Sequence, residues 1–199
     1  MTQYMTQIKM RTLQDKKSAL TVNLLLDAAC ELAQTFNIDE LSFKRVSEYA
    51  EISQRTMFRH FKTRDSFLDA LTAKLYSELD LPEIPNSVDG LTDYIDMLYD
   101  KLDSQPRKVM VLLSADLLPR VLSTTAKQRF ASLEVLLSKS YPNAHADDIK
   151  KTTANLRYVM SASSWRYYRM HFDFESAMAK ECAQILVTQS IQHLAALNR

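Results

Sequence analysis

The amino-acid sequence predicts an all-α protein of two domains, and three observations lead to this prediction. The chain of 199 residues contains a single glycine, Gly90, where average usage would give roughly 14. Tight β-hairpins, phosphate-binding loops and dinucleotide fingerprints all need glycine, so these folds and nucleotide-binding classes are excluded. Apolar residues make up 46% of the chain and recur mostly at helical spacing. Pro82 and Pro85 interrupt that spacing and mark a domain boundary.

The N-terminal segment lacks apolar periodicity. Residues 1–17 carry Lys9, Arg11, Lys16 and Lys17 against Asp15 alone. This composition predicts a flexible basic arm, and a solvated tail or an alternative start region is an equally good interpretation. We expect residues 18–80 to form the first domain and residues 81–199 to form the second.

The first domain begins with one amphipathic helix. Its apolar stripe ends at Phe36, and Asn37 follows in the position of a left-handed cap. The stripe consists of Val22, Leu25, Leu26, Ala29, Leu32, Ala33 and Phe36.

Three further helices follow, and each has a capping residue. Ser42 precedes one short helix and Ser53 precedes another, while Thr63 begins a longer fourth helix. Segments 42–49 and 54–61, joined by a short turn, form a predicted helix-turn-helix. In that motif the second helix lies in the major groove of DNA and its first residues meet base edges.

The charge pattern of the second short helix agrees with DNA binding. From Ser53 to Arg64 there are four cations, one histidine and no acid, although the whole chain has 25 basic and 24 acidic residues. Arg55 and Arg59 have the planar donor geometry that reads guanine or grips phosphate. We expect phosphate contacts from Lys44, Arg45 and Lys62.

Residues 25–71 resemble the TetR family of bacterial transcriptional repressors. The resemblance rests on the sequence LLDAACELAQTFNIDELSFKRVSEYAEISQRTMFRHFKTRDSFLDAL, with its cap, recognition helix, aromatic-x-His-Phe motif and the Thr-Arg-Asp that follows. Where the family usually has glycine, this chain has Asn37, Glu51 and Arg55. The resemblance implies that Arg64 grips phosphate and that a further set of residues touches DNA. This set is Ser42, Gln54, Thr56, Phe58 and His60.

The second domain is predicted to contain five helical stretches, at about 88–103, 107–119, 122–140, 146–171 and 175–197. From Cys182 to Asn198 there is no charged residue, whereas a helix packed on one side only would carry charges on its other face. This stretch and the small residues at 161–164 predict a four-helix homodimer interface, which the family resemblance also implies. A helix buried wholly within its own subunit is the alternative. The interface residues expected are Ser161, Ser164, Ile185, Ile191 and Leu194.

Aromatic and methionine side chains of the second domain are candidates for a ligand cavity. Ordinary core packing is the alternative for each of them. Because acids and bases nearly balance in this domain, we expect a small, mostly apolar effector. The candidates are Tyr94, Met97, Leu98, Met110, Leu113, Phe130, Trp165 and Tyr168.

These features predict a DNA-binding regulator, most simply a repressor released from an inverted-repeat operator by its ligand. No Glu-x-x-His pair or zinc motif is present, so we expect neither enzymatic activity nor a cofactor. The alternative is a helical interaction protein of the same fold that binds a protein partner. Without a signal peptide or an apolar span of membrane length, the chain is expected to be cytoplasmic, with no membrane partner.

Overall fold

A computed structural model describes residues 12–198 of the chain. Within this range all regular secondary structure is helical and there is no β-strand, which confirms the predicted all-α class. The chain divides into two compact units, one ending at Leu71 and the other beginning at Thr72. The division falls inside a helix that spans Arg64–Glu78.

The N-terminal unit is built from three helices and the first half of a fourth. Phe67 stands in its core and meets the rings of Phe43 and Phe61 edge-on, with ring centroids 5.6 and 5.5 Å away. Leu25 and Met57 are also fully buried, so all four helices contribute to one apolar core. The helices are α1 (Leu13–Leu32), α2 (Phe43–Tyr49), α3 (Gln54–His60) and α4 (Arg64–Glu78), with a 3-10 turn at Ile38–Glu40 before α2.

Helix α1 begins earlier than the sequence analysis predicts. The Thr12 hydroxyl accepts from the Asp15 N–H at 3.1 Å, and the Asp15 carboxylate accepts from the Thr12 N–H at 3.0 Å. This reciprocal capping box satisfies two donors that a helix start leaves unpaired. Residues 13–17, predicted as part of a flexible arm, are therefore helical. The rest of that predicted arm, residues 1–11, lies outside the described residues.

The cap predicted after α1 is also different in the structure. Asn37 is not left-handed: its φ of −67° and ψ of 157° are those of extended backbone. It precedes the 3-10 turn, where its N–H donates to the Glu40 carboxylate at 2.9 Å. Helix α1 ends at Leu32 and closes through the right-handed Ala33. Because residues 33–36 form a turn and a bend between Leu32 and Asn37, Asn37 does not cap α1.

The C-terminal unit contains seven helices after α4, within the described residues. Helix α11 packs on α5 and α9, and α8 packs on α9. Wide π turns follow α7 at Leu122–Ala126 and α10 at Tyr167–His171. The helices are α5 (Leu91–Ser104), α6 (Pro106–Leu112), α7 (Leu118–Val121), α8 (Lys127–Ser140), α9 (Ala146–Val159), α10 (Ala162–Arg166) and α11 (Ser176–Leu197).

The predicted helix over 146–171 is broken near its middle. Helix α9 closes at Met160, whose ψ of 50° is not helical. Ser161 then adopts extended backbone and its hydroxyl accepts from the Ser164 N–H at 3.3 Å, which starts α10. Ser161, one of the small residues predicted to allow another helix to approach, serves here as an N-cap, where serine is favoured.

A half-buried carboxylate joins three helices of the C-terminal unit. Asp103 on α5 accepts from Trp165 Nε1 at 2.9 Å, from Arg169 Nε at 2.9 Å and from the Ser176 hydroxyl at 2.6 Å. We call these four residues the Asp103 cluster. Since α10, the π turn after it and the start of α11 all donate to one side chain on α5, the cluster fixes the relative positions of these segments.

Two further findings limit the chemistry of the described residues. No helix in this range combines the length and apolar character needed to cross a membrane. The same range contains no group of three or more His, Cys, Asp or Glu side chains arranged to hold a metal ion. Among the described residues, neither Cys30, which is buried, nor Cys182, which is half-buried, forms a disulfide.

Candidate nucleic-acid interface and ligand cavity

Two serine caps define the helix-turn-helix. The Ser42 hydroxyl accepts from the Arg45 N–H at 3.1 Å at the start of α2. The Ser53 hydroxyl accepts from the Thr56 N–H at 3.2 Å at the start of α3. Each cap satisfies a backbone donor that has no partner within its helix. Both short helices therefore begin where the sequence predicts.

The turn between α2 and α3 contains a residue with strained backbone. Glu51 has a φ of 55°, in the left-handed region where a side chain costs about 1–2 kcal/mol. The tight turn is closed by the Ile52 N–H, which donates to the Ser47 carbonyl at 2.9 Å. Glu51 stands where the TetR-like pattern has glycine, and the geometry explains that preference.

Replacing Glu51 with glycine should stabilise the protein by about 0.5–1 kcal/mol. Glycine removes the left-handed strain but gains freedom in the unfolded chain, so only part of the strain energy is recovered. Urea unfolding followed by circular dichroism measures the difference. The control Glu48→Gly lies inside α2 and should destabilise by about 1 kcal/mol. Equal destabilisation by both variants would contradict a left-handed Glu51.

One face of α3 is exposed and cationic, while its opposite face is buried. Met57 is fully buried, whereas Phe58 is 54% exposed and meets the Phe43 ring edge-on at 5.0 Å. The predicted residues that share this exposed surface, hereafter the α3 face, are Ser53, Gln54, Arg55, Phe58, Arg59 and, in the following loop, Lys62. Thr56 is half-buried and its hydroxyl lies 2.9 Å from that of Ser53.

Three predicted DNA contacts already have partners within the protein. Arg64 donates to the Ile38 carbonyl at 2.6 Å and to the Leu41 carbonyl at 3.0 Å. Arg45 lies over the Phe36 ring at 4.3 Å and donates to the Glu40 carbonyl. Lys44 is 3.9 Å from the Glu48 carboxylate on the exposed side of α2. Arg64 in particular ties the start of α4 to the segment before α2.

His60, at the end of α3, is better described as a hydrogen-bonding side chain than as a cation. Burial, with a smaller effect from Arg59, lowers the pKa of His60 below its ordinary value of 6.5. Its Nε2 is buried and has no hydrogen-bond partner in the described protein. A neutral ring at pH 7 offers one N–H and one lone pair, so His60 adds no charge to the α3 face.

The C-terminal unit encloses a cavity of about 90 Å³. Three of the eight predicted ligand residues line it, namely Tyr94, Leu98 and Leu113. Tyr94 and Leu98 are almost completely shielded from solvent. Most of the wall is apolar. The other lining residues are Tyr76, Leu79, Leu81, Val109, Leu112, Leu118, Val121, Leu122, Ala126, Arg129, Arg157, Met160, Ser161, Ala162 and Ser163.

The remaining five predicted ligand residues lie elsewhere. Phe130 lines a shallow groove next to the cavity. Met97 and Met110 are 51% and 40% exposed and line neither space. Trp165 belongs to the Asp103 cluster, and Tyr168 stacks on Phe174 with a centroid distance of 6.2 Å. A helical stripe predicts which residues are buried, but it does not predict where packing leaves space.

Two arginines of the cavity wall were not predicted. Arg129 donates to the Tyr94 hydroxyl at 2.6 Å, and Arg157 donates to the Met160 carbonyl at 2.6 Å. Burial raises the pKa of Tyr94. A signal was present in the sequence: Arg157 follows the buried Thr153 by four residues, so it continues an inward-facing stripe.

The predicted interface residues divide into buried and exposed sets. Ser164 and Leu194 are buried within their own chain, and Ser161 and Ile191 are half-buried. Ile185 is 48% exposed. Helix α11 also exposes other large apolar side chains, namely Met178, Leu186 and Leu197.

Together the two units define a class: an all-α protein with an N-terminal helix-turn-helix and a second helical unit that encloses a cavity. Residues 25–71 match the family model described as "Bacterial regulatory proteins, tetR family". The N-terminal part of the chain is therefore similar to the TetR family over residues 25–71. No curated protein sequence matches the chain closely enough to count as a relative.

Solved structures show that the likeness of fold extends over most of the chain. A TetR-family transcriptional regulator from Streptomyces coelicolor is 14% identical, with a TM-score of 0.64 over 91% of this chain and 87% of that one. A TetR variant from Acinetobacter baumannii, solved with minocycline, is 15% identical, with a TM-score of 0.56 over 89% of this chain and 97% of that one. The chain therefore has the fold of a TetR-family transcriptional regulator.

Proposed function

We propose that the chain is a homodimeric transcriptional repressor that binds an inverted-repeat operator and leaves it when a small, mostly apolar ligand binds. The observation that carries this proposal is the α3 face. It presents Arg55 and Arg59 to solvent, and neither makes an ion pair within the described residues. No acid lies between Ser53 and Arg64 to oppose a phosphate backbone.

Each part of the α3 face has a specific role in this proposal. The major groove of DNA is wide enough to admit an α-helix, and an arginine fork matches the O6 and N7 atoms of guanine. Gln54 and Arg55 lie in the first turn of α3, which meets base edges in this motif. Phe58 offers an apolar surface for a thymine methyl group. Lys62, in the loop after α3, is placed to contact phosphate.

A homodimer is proposed because one protomer presents only one recognition helix. In a two-fold dimer the two helices read half-sites about 34–36 Å apart, so the operator should be an inverted repeat. Helix α11 supplies the surface, since Ile185 and Leu186 are exposed and no charge lies between Cys182 and Asn198. The buried Ser164 and Leu194 would support this surface from within the protomer.

The cavity is the proposed ligand site. Its volume of about 90 Å³ is well below the ~300–1,000 Å³ of typical ligand pockets, so a ligand must widen it. Helix α4 begins in the N-terminal unit, and its Tyr76 lines the cavity. A ligand that favours the widened state shifts the protein away from the DNA-binding state.

Replacing Arg59 with alanine should weaken operator binding by about 1–3 kcal/mol, because a bidentate base contact is lost. The operator is first selected from random duplexes with the full chain, and its affinity is then measured by titration. Binding of an unrelated duplex should fall less. The control Arg107→Ala removes an exposed arginine of α6 and should leave operator affinity unchanged. Full affinity in a variant lacking both Arg55 and Arg59 would overturn the DNA-binding assignment.

A further inference from the structure

The cavity of the C-terminal unit has an unusual charge balance. Two guanidinium groups, those of Arg129 and Arg157, stand in a wall that is otherwise mostly aliphatic. No aspartate or glutamate lines the cavity. Neither arginine forms an ion pair with a carboxylate anywhere in the described residues. The cavity therefore combines a mostly apolar wall with two positive charges that no carboxylate in the lining compensates.

The adjoining groove extends the same pattern toward solvent. It shares Arg157, Leu122 and Ser161 with the cavity and adds Lys127 and Phe130. The groove is also free of acidic lining residues. Cavity and groove together thus carry three cations, with no anion among their described lining residues.

The protein satisfies these guanidinium groups only in part. The Nη1 atoms of Arg129 and Arg157 donate to neutral oxygens, the Tyr94 hydroxyl and the Met160 carbonyl. An arginine has five N–H donors in a planar fork, so most donors of each group make no bond to the described protein. Burial removes the Arg157 guanidinium from water and so lowers its pKa. An anion between the two groups would relieve this cost.

We infer that the ligand of this cavity is an amphipathic carboxylic acid, whose carboxylate is held by Arg129 and Arg157 and whose apolar body occupies the aliphatic wall. This inference rests on the proposed ligand site. A carboxylate matches the planar arginine fork and carries a single charge. A polyanion would bring charges that the apolar wall cannot solvate.

The test compares a carboxylate with a neutral molecule of nearly the same shape. Octanoate and octanamide are titrated into the full-length protein by calorimetry, without DNA. Octanoate should bind at least about tenfold more tightly, because charge-assisted hydrogen bonds are stronger than neutral ones. Arg129→Gln should remove that preference, because the carboxylate loses one of its two guanidinium partners. The control Arg107→Gln removes an exposed arginine outside the cavity and should keep the preference.

Two outcomes would overturn the inference. One is equal binding of octanoate and octanamide, and the other is an undiminished preference in Arg129→Gln, with folding of each variant verified by circular dichroism. A second acid–amide pair, benzoate and benzamide, tests whether the preference depends on the carboxylate charge and not on the alkyl chain of the ligand. Different results would contradict the proposed function: either no operator is bound, or octanoate binds and leaves operator affinity unchanged. If octanamide releases the operator and octanoate does not, DNA binding is controlled by a ligand, but that ligand is not a carboxylic acid.

Discussion

Replacing Asp103 with alanine should destabilise the protein by about 3 kcal/mol. The Asp103 cluster joins α5 to Trp165, Arg169 and Ser176 through three hydrogen bonds of 2.6–2.9 Å. Removing the carboxylate leaves the Arg169 charge and the buried Trp165 N–H without their acceptor, and unpaired buried groups of this kind are costly. Urea unfolding followed by circular dichroism measures the loss.

A matched control lies on the same helix. Asp100→Ala removes a carboxylate that also pairs with a cation, Lys180, but Asp100 is 65% exposed. Exposed ion pairs contribute little, so this variant should change stability by less than about 1 kcal/mol. If Asp100→Ala and Asp103→Ala cost the same, the Asp103 cluster would have no special role.

The cluster also predicts how stability depends on pH. Burial alone would raise the pKa of Asp103, but hydrogen bonds from Ser176, Arg169 and Trp165 outweigh it and lower the pKa below 3.8. A carboxylate with a depressed pKa stabilises the fold above its unfolded pKa, and this contribution disappears as the pH falls toward the folded pKa. The stability difference between wild type and Asp103→Asn should therefore shrink below about pH 4.

The second large effect is expected from Ile185→Glu on α11. Ile185 is 48% exposed in one protomer, and in the proposed dimer a glutamate there would be buried without a partner. Sedimentation should show monomers, and operator affinity should fall by at least about 100-fold because two half-sites are no longer bound together.

The control for this variant is the same change on a different helix. Val135 on α8 is 52% exposed, similar to Ile185, but lies outside α9–α11. Val135→Glu should remain dimeric and keep its operator affinity. An unchanged dimer in Ile185→Glu, with Val135→Glu monomeric, would move the interface from α11 to α8.

Local signals in the sequence predicted the helix-turn-helix well. The Ser42 and Ser53 caps and the exposed Phe58 follow from short-range spacing. Such features depend on a few neighbouring residues, so they can be predicted without knowledge of the rest of the fold. The glycine-like position of Glu51 belongs to the same group, because its φ of 55° is a property of the turn.

The contacts that sequence reasoning did not predict depend on packing between distant segments. The phosphate contact of Arg64 stays a prediction, but its hydrogen bonds to carbonyls 23 and 26 residues earlier have no local signal in the sequence. The interface role of Ser164 also stays a prediction, and its contact with the Tyr99 hydroxyl, 3.2 Å away within the same chain, was not predicted. The ligand cavity is a further case, since a stripe that contains Met97 does not reveal that this residue is exposed.

The position of Trp165 has a practical consequence for following the protein in solution. It is the only tryptophan of the chain, is fully buried, and donates its indole N–H to Asp103. Its neighbours Ala162 and Ser163 line the cavity, whereas Trp165 itself does not. A ligand in the cavity therefore cannot quench its fluorescence by contact. Any shift in emission on adding a ligand would report movement of α10, and the time course of that shift would separate the rearrangement from the binding step.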